Sequence, residues 1–189
     1  MTRFVALFRG INVGKAKRIA MADLRALLES LGYSDVQTLL NSGNAVFDGP
    51  VESGEKHAHS IRDAVAKELG VDALVIVKSA REIAAIVAGN KLAATATDPS
   101  RLLVAVTSQA GALKDIEALG RTGWGAEEIL VGKHAAYVWC PNGILQSKAG
   151  AALLKGLADS GTTRNWATIG KLHELLQRDR VASPAGRAG

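Results

Sequence analysis

The sequence predicts an α+β protein of two ferredoxin-like (split βαβ) units packed together, plus a C-terminal helix. Two observations carry this reading. Apolar spacing switches between short strand-like runs and the helical i, i+3, i+4, i+7 period in the order β-α-β-β-α-β, and the order recurs after a connecting helix. A chain of 189 residues, 48% hydrophobic and 22% charged, also has ordinary globular composition with enough apolar material for a real core.

Residues 3 to 8, Arg-Phe-Val-Ala-Leu-Phe, are apolar on both faces, the mark of a strand covered on two sides. A Gly-rich basic loop runs from Gly10 to about Ala20. Leu24, Leu27, Leu28 and Leu31 then share one helical face, and Gly32 supplies the stop. Val36 to Leu40 and Ala45 to Phe47 form a hairpin through Asn41-Ser42-Gly43-Asn44, residue types that tolerate positive φ. Ile61, Val65 and Leu69 give a second helix ended by Gly70, and Ala73 to Val77 a strand. Ser79-Ala80-Arg81-Glu82 has capping-box form and opens a connecting helix that reaches Gly89.

The second half predicts a strand at Arg101 to Thr107, a short helix at Leu113 to Leu119, and a hairpin of Ile129 to Val131 with Ala135 to Cys140. A helix follows at 148 to 158, then an extended piece at Thr162-Thr163, and a last helix on which Trp166, Ile169, His173 and Leu176 share a face. The organisation expected is an N-terminal unit over 1–79, a connecting helix and loop over 80–100, a C-terminal unit with its terminal helix over 101–178, and a mobile Pro/Gly/Ala tail over 179–189.

No stretch approaches the roughly 20 apolar residues of a membrane helix, and Met1-Thr2-Arg3-Phe4-Val5 runs straight into a strand instead of a signal-peptide pattern, so a cytoplasmic protein is expected. The single Cys140 allows no internal disulfide and reads as a small buried hydrophobe. The net charge of +5 is unevenly placed. Arg3, Arg9, Lys15, Lys17 and Arg18 all precede the first acid, Asp23. Such a cluster attracts anions: phosphates, nucleic acid or an acidic partner.

The most informative motif is Arg9-Gly10-Ile11-Asn12-Val13-Gly14-Lys15-Ala16-Lys17-Arg18, between a strand and a helix. Glycines let backbone approach a ligand, free N–H groups form an anion nest, and lysines add charge. It is not a P-loop: three residues instead of four separate Gly10 from Gly14, and Ala16 stands where a metal-binding Ser or Thr is required. What remains is a looser anion site, or a solvated basic loop whose glycines serve chain geometry. In a split βαβ unit the end of the first strand and the hairpin joining the second and third lie together. Arg9, Asn12 and Lys15 are therefore expected beside Asn41, Ser42 and Asn44, unless those turn residues serve only their own backbone.

Phe8-Arg9-Gly10-Ile11-Asn12-Val13-Gly14, Met21-Ala22-Asp23-Leu24, Ser42-Gly43-Asn44-Ala45-Val46-Phe47 and Thr163-Arg164-Asn165-Trp166-Ala167-Thr168 occur in this order. Together they resemble the bacterial uncharacterised proteins of the domain of unknown function 1697 family, over essentially the whole chain to about Leu176. The resemblance implies two ferredoxin-like subdomains and supplies no activity. Arg164, Asn165 and Trp166, assigned to the last helix, join the candidate ligand-binding set.

Other features are weaker. His57-x-His59 splits two rings across a helix, and no carboxylate or Cys pair accompanies it, so no metal site is expected and both histidines read as exposed. Glu127-Glu128 reads as solvated, and no nucleophile-base arrangement stands out. Phe4, Phe8 and Phe47 fall on predicted strands one and three, where some ferredoxin-like sheets stack RNA bases, but packing explains them better. The expected function is a protein that holds a phosphate-bearing or other anionic small molecule at the basic loop. The alternatives are a protein-interaction module and a nucleic-acid binder. Reaction, catalytic residues, cofactor and oligomeric state are not legible in the sequence.

Overall fold

A computed structural model describes residues 1–178; the tail expected over 179–189 lies outside the described residues. The first sheet contains β1 (Thr2–Phe8), β2 (Ser34–Thr38), β3 (Asn44–Gly49) and β4 (Val75–Ser79) in the order β2-β3-β1-β4, each neighbouring pair antiparallel. The second contains β5 (Leu102–Thr107), β6 (Glu128–Val131), β7 (Ala136–Trp139) and β8 (Gly161–Asn165) in the order β6-β7-β5-β8, again antiparallel throughout. Both have the split βαβ order, so the fold is two ferredoxin-like sheets.

The pleat of β1 divides its apolar residues between two cores. Phe4, Ala6 and Phe8 point to α1 (Met21–Ser30) and α2 (Gly54–Leu69), where they meet Leu24, Leu28, Ile61 and Val65. Val5 and Leu7 point the other way, into a core shared with Val104 and Val106 of β5. Helices α3 (Ala80–Ala88) and α5 (Trp166–Gln177) fill this shared layer with Ile83, Ile86, Ile169 and Leu172. Tyr137 crosses it and donates its hydroxyl to Ile86 O at 2.6 Å, and burial pushes that phenol up to about 12. The far face of the second sheet is covered by α4 (Lys148–Leu157) and by a 3-10 segment, Ala110–Arg121. Fully burying one such aliphatic side chain stabilises by roughly 1.5–3 kcal/mol, which ties the two sheets into one body. Among the described residues no helix is long and apolar enough to cross a membrane.

Three local expectations are revised. The 113–119 segment is 3-10 instead of α-helical, because Leu113, Ile116 and Leu119 repeat every three residues, the period that aligns side chains in a 3-10 helix. His57 is 2% exposed, since it shares the α2 stripe of Ile61 and Val65. Its Nε2–H donates to the Pro50 carbonyl at 3.2 Å, which leaves Nδ1 to accept from the Tyr33 hydroxyl at 3.0 Å. Glu127 is half-buried and accepts the Ala149 N–H at 2.9 Å, at the start of α4.

The expected capping box at α3 is present: Ser79 Oγ accepts from the Glu82 N–H, while Glu82 Oε2 accepts from Ser79 N–H and Oγ–H, each at 2.8 Å. Burial works against the Glu82 charge, but the Ser79 N–H, the Lys78 ammonium and the Ser79 hydroxyl outweigh it and hold the carboxyl below its ordinary range. On acidification the unfolded chain therefore takes up this proton first. The associated stability is complete above the unfolded Glu value of about 4.3 and is lost as pH falls through the folded one. Glu82→Gln keeps the cap without the charge, so its urea midpoint is expected to fall less between about pH 5 and 3 than that of wild type; parallel curves would rule the contribution out.

Candidate functional site

The basic loop folds back on itself through Asn12. Its N–H donates to Lys17 O at 3.0 Å, its Oδ1 accepts from the Ile19 N–H at 2.8 Å, and its Nδ2 donates to Ile19 O and Asn41 O, both at 2.8 Å. Positive φ at Gly10, Asn12, Gly14 and Lys17 lets the chain double back in so few residues. The contact with Asn41 O, together with Phe8 N–H donating to Gly43 O at 2.9 Å, places the loop against the β2–β3 turn. The strand order requires this placement.

Arg164 joins this corner to the second sheet. It lies on β8, ahead of the last helix, and is 9% exposed. Its Nε donates to Asn44 Oδ1 at 2.6 Å, Nη1 to Thr162 Oγ1 and Thr163 O at 3.0 and 2.8 Å, and Nη2 to Phe8 O and Gly43 O at 2.6 and 3.1 Å. All five N–H groups are thereby committed. Among the described residues no carboxylate pairs with it, and burial pulls its pKa down to about 10, so it stays charged at neutral pH. Arg9 spans the same seam: its Nη1 donates to Ala158 O and to Gly161 O, the latter at 3.1 Å. Its Nε and Nη2 have no partner among the described residues.

Between these elements lies a cavity of about 490 Å³. The first sheet's unit contributes Phe8 to Val13, Asn41 and Ser42; the second contributes Leu154 and Thr162 to Arg164. The lining holds two guanidinium groups and no carboxylate. Exposed Lys15, Lys17 and Arg18 follow along the loop.

Of the candidate residues, Arg9, Asn12, Asn41, Ser42 and Arg164 line the cavity. Asn12 and Arg164 spend their donors on the framework, leaving Arg9, the Asn41 amide and the Ser42 hydroxyl free to donate. Lys15 stands on the loop but off the lining. Asn44 is fully buried, and its Nδ2 donates to Leu39 O and Ser42 Oγ. Asn165 caps α5 by accepting the Thr168 N–H at 2.9 Å, and Trp166 packs against the core between the sheets. The lining also includes Val13, Leu154, Thr162 and Thr163, which were not among the candidate ligand-binding residues. Leu154 had a signal in the sequence: it is apolar yet lies off the buried Leu153–Leu157 stripe of α4.

A second, smaller cavity of about 360 Å³ lies along the seam beside Lys78, Glu82, Glu55 and His134. Its ammonium is already 3.3 Å from Glu82 Oε1, and Glu55 adds another carboxylate, so it lacks the one-signed field of the first.

Comparison with known proteins bears on family and fold. The family described as Protein of unknown function (DUF1697) matches residues 1–137, which include the basic loop and the turn but neither α4 nor β8. No curated protein matches the chain. The conserved bacterial protein SP0830 from Streptococcus pneumoniae has a similar structure, with a TM-score of 0.76 at 24% identity over 93% of this chain and 99% of that one. That likeness is one of fold.

Proposed function

The chain belongs to the DUF1697 family of proteins of unknown function, and from the chemistry of its seam cavity we propose that it binds a small phosphate-bearing anion there. One observation carries the reading: a cavity of ligand size whose charged lining is two guanidinium groups and nothing acidic. Burying an unpaired cation such as Arg164 costs stability, and an anion in the cavity offsets that cost at short range, where the low dielectric strengthens attraction. Arg9 supplies the free hydrogen-bond fork, with Asn41 and Ser42 as neutral donors; Lys15, Lys17 and Arg18 steer the anion inward. A cytoplasmic setting belongs to the same reading, supported by a lone buried thiol, Cys140, that burial keeps protonated.

Nothing favours the nucleic-acid alternative, because Phe4, Phe8 and Phe47 are all buried and offer bases no stacking platform. Calorimetric titration with inorganic phosphate, sugar phosphates and nucleotides tests the proposal. Binding is expected to weaken with salt, to fall at least about tenfold in Arg9→Ala, an amount typical of one charge-assisted hydrogen bond, and to survive Lys133→Ala on the distant hairpin. Equal binding by wild type and Arg9→Ala would place the site elsewhere, and an interaction module predicts no binding at all.

A further inference from the structure

The lining of the cavity includes exposed apolar side chains beside its polar ones, and these say more of the ligand than its charge does. Val13 is 71% exposed and Leu154 39%, and both line the cavity. They come from different sheet units, one from the basic loop and one from α4, and neither is needed by a core cluster. Leu40, also exposed, stands one residue before Asn41 and holds a positive φ of 60°, a conformation that costs a leucine about 1–2 kcal/mol. Exposed aliphatic side chains scattered singly need no explanation, but Val13 and Leu154 line one cavity together with Arg9 and Arg164. Buried, apolar Ile11 and Phe8 line the same cavity as Arg9.

Resting on the anion-binding reading, we infer that the ligand is an amphipathic phosphate monoester, its phosphate on Arg9 and its carbon portion aliphatic and lying against Val13 and Leu154. Sugar phosphates and bare phosphate fit less well, since their hydroxyls or water would face Val13 and Leu154 without a partner. A nucleotide base finds no aromatic platform here, because the lining's one aromatic, Phe8, is fully buried.

The test is calorimetric titration of the full chain with hexyl phosphate, glycerol phosphate and inorganic phosphate. Each methylene taken from water is worth roughly fourfold in affinity, so hexyl phosphate is expected to bind at least about tenfold more tightly than glycerol phosphate. The double variant Val13→Ser with Leu154→Ser should abolish that preference, so that hexyl phosphate and glycerol phosphate bind with equal affinity. Both positions are exposed, so folding should be unaffected, as thermal unfolding would verify. Leu145→Ser, at a fully exposed leucine away from the cavity, should keep the preference. If all three ligands bind alike, or the preference survives the double variant, the inference fails while the anion site stands. If none binds, both fail.

Discussion

Replacing Arg164 with Met is expected to cost about 3–5 kcal/mol of stability, because it removes donors from several buried acceptors at once, each worth roughly 1–3 kcal/mol when left unpaired. For a chain of this size that lowers Tm on the order of 10 °C. The acceptors belong to three strands, with Phe8 O on β1, Asn44 Oδ1 on β3 and Thr162 Oγ1 on β8, so the loss falls on the seam between the sheets. Relief of the buried charge offsets part of it, which is why the estimate stays below the sum over the bonds. Arg164→Lys should be only a partial rescue: an ammonium has three donors and no planar fork to reach both the Asn44 amide and the Phe8 carbonyl. Denaturant unfolding of the three proteins measures this. A Met variant within about 1 kcal/mol of wild type would show that the guanidinium does not clamp the seam.

Gly43→Ala is the second large effect. Gly43 sits at φ +82°, and an added Cβ would lie 2.6 Å from Ile11 Cδ1 and 2.7 Å from Phe8 Cβ. Backbone strain of roughly 1–2 kcal/mol adds to overpacking of roughly 1–3 kcal/mol. The turn would have to move off the loop, displacing Ile11 and Asn41 in the cavity wall, so ligand affinity should fall together with stability. Gly10→Ala is the control: its φ is +70° but its Cβ would meet nothing within 4 Å, so only the strain remains. Its denaturant midpoint should drop by clearly less than that of Gly43→Ala. Equal drops would mean that close packing of the turn on Ile11 contributes nothing.

Much of the fold was legible because it rests on periodicity. The two-sided apolar run of β1, the capping box at Ser79, the stripe of α1 and the two hairpins are local patterns, each the direct result of 2.0 or 3.6 residues per repeat. The juxtaposition of the basic loop with Asn41 and Gly43 followed from strand order alone. The burial of His57 was also written in its spacing to Ile61 and Val65, and was hidden only by the polarity of the ring.

Side-chain roles at the site were a different matter. Arg9, Asn12, Asn44 and Arg164 have the same chemical appearance in the sequence: polar groups in or near a loop. Which of them turns inward to saturate carbonyls and which keeps a free donor depends on how β8 docks against the end of β1, a contact between residues 156 apart in the Arg164 to Phe8 bond. The sequence by itself determined the elements, their order and the position of the charged loop. Only the tertiary structure decided that Thr162 to Arg164 and Leu154 complete the cavity, because the docking of two sheets is set by the summed shape and burial of many distant side chains and leaves no local period to read.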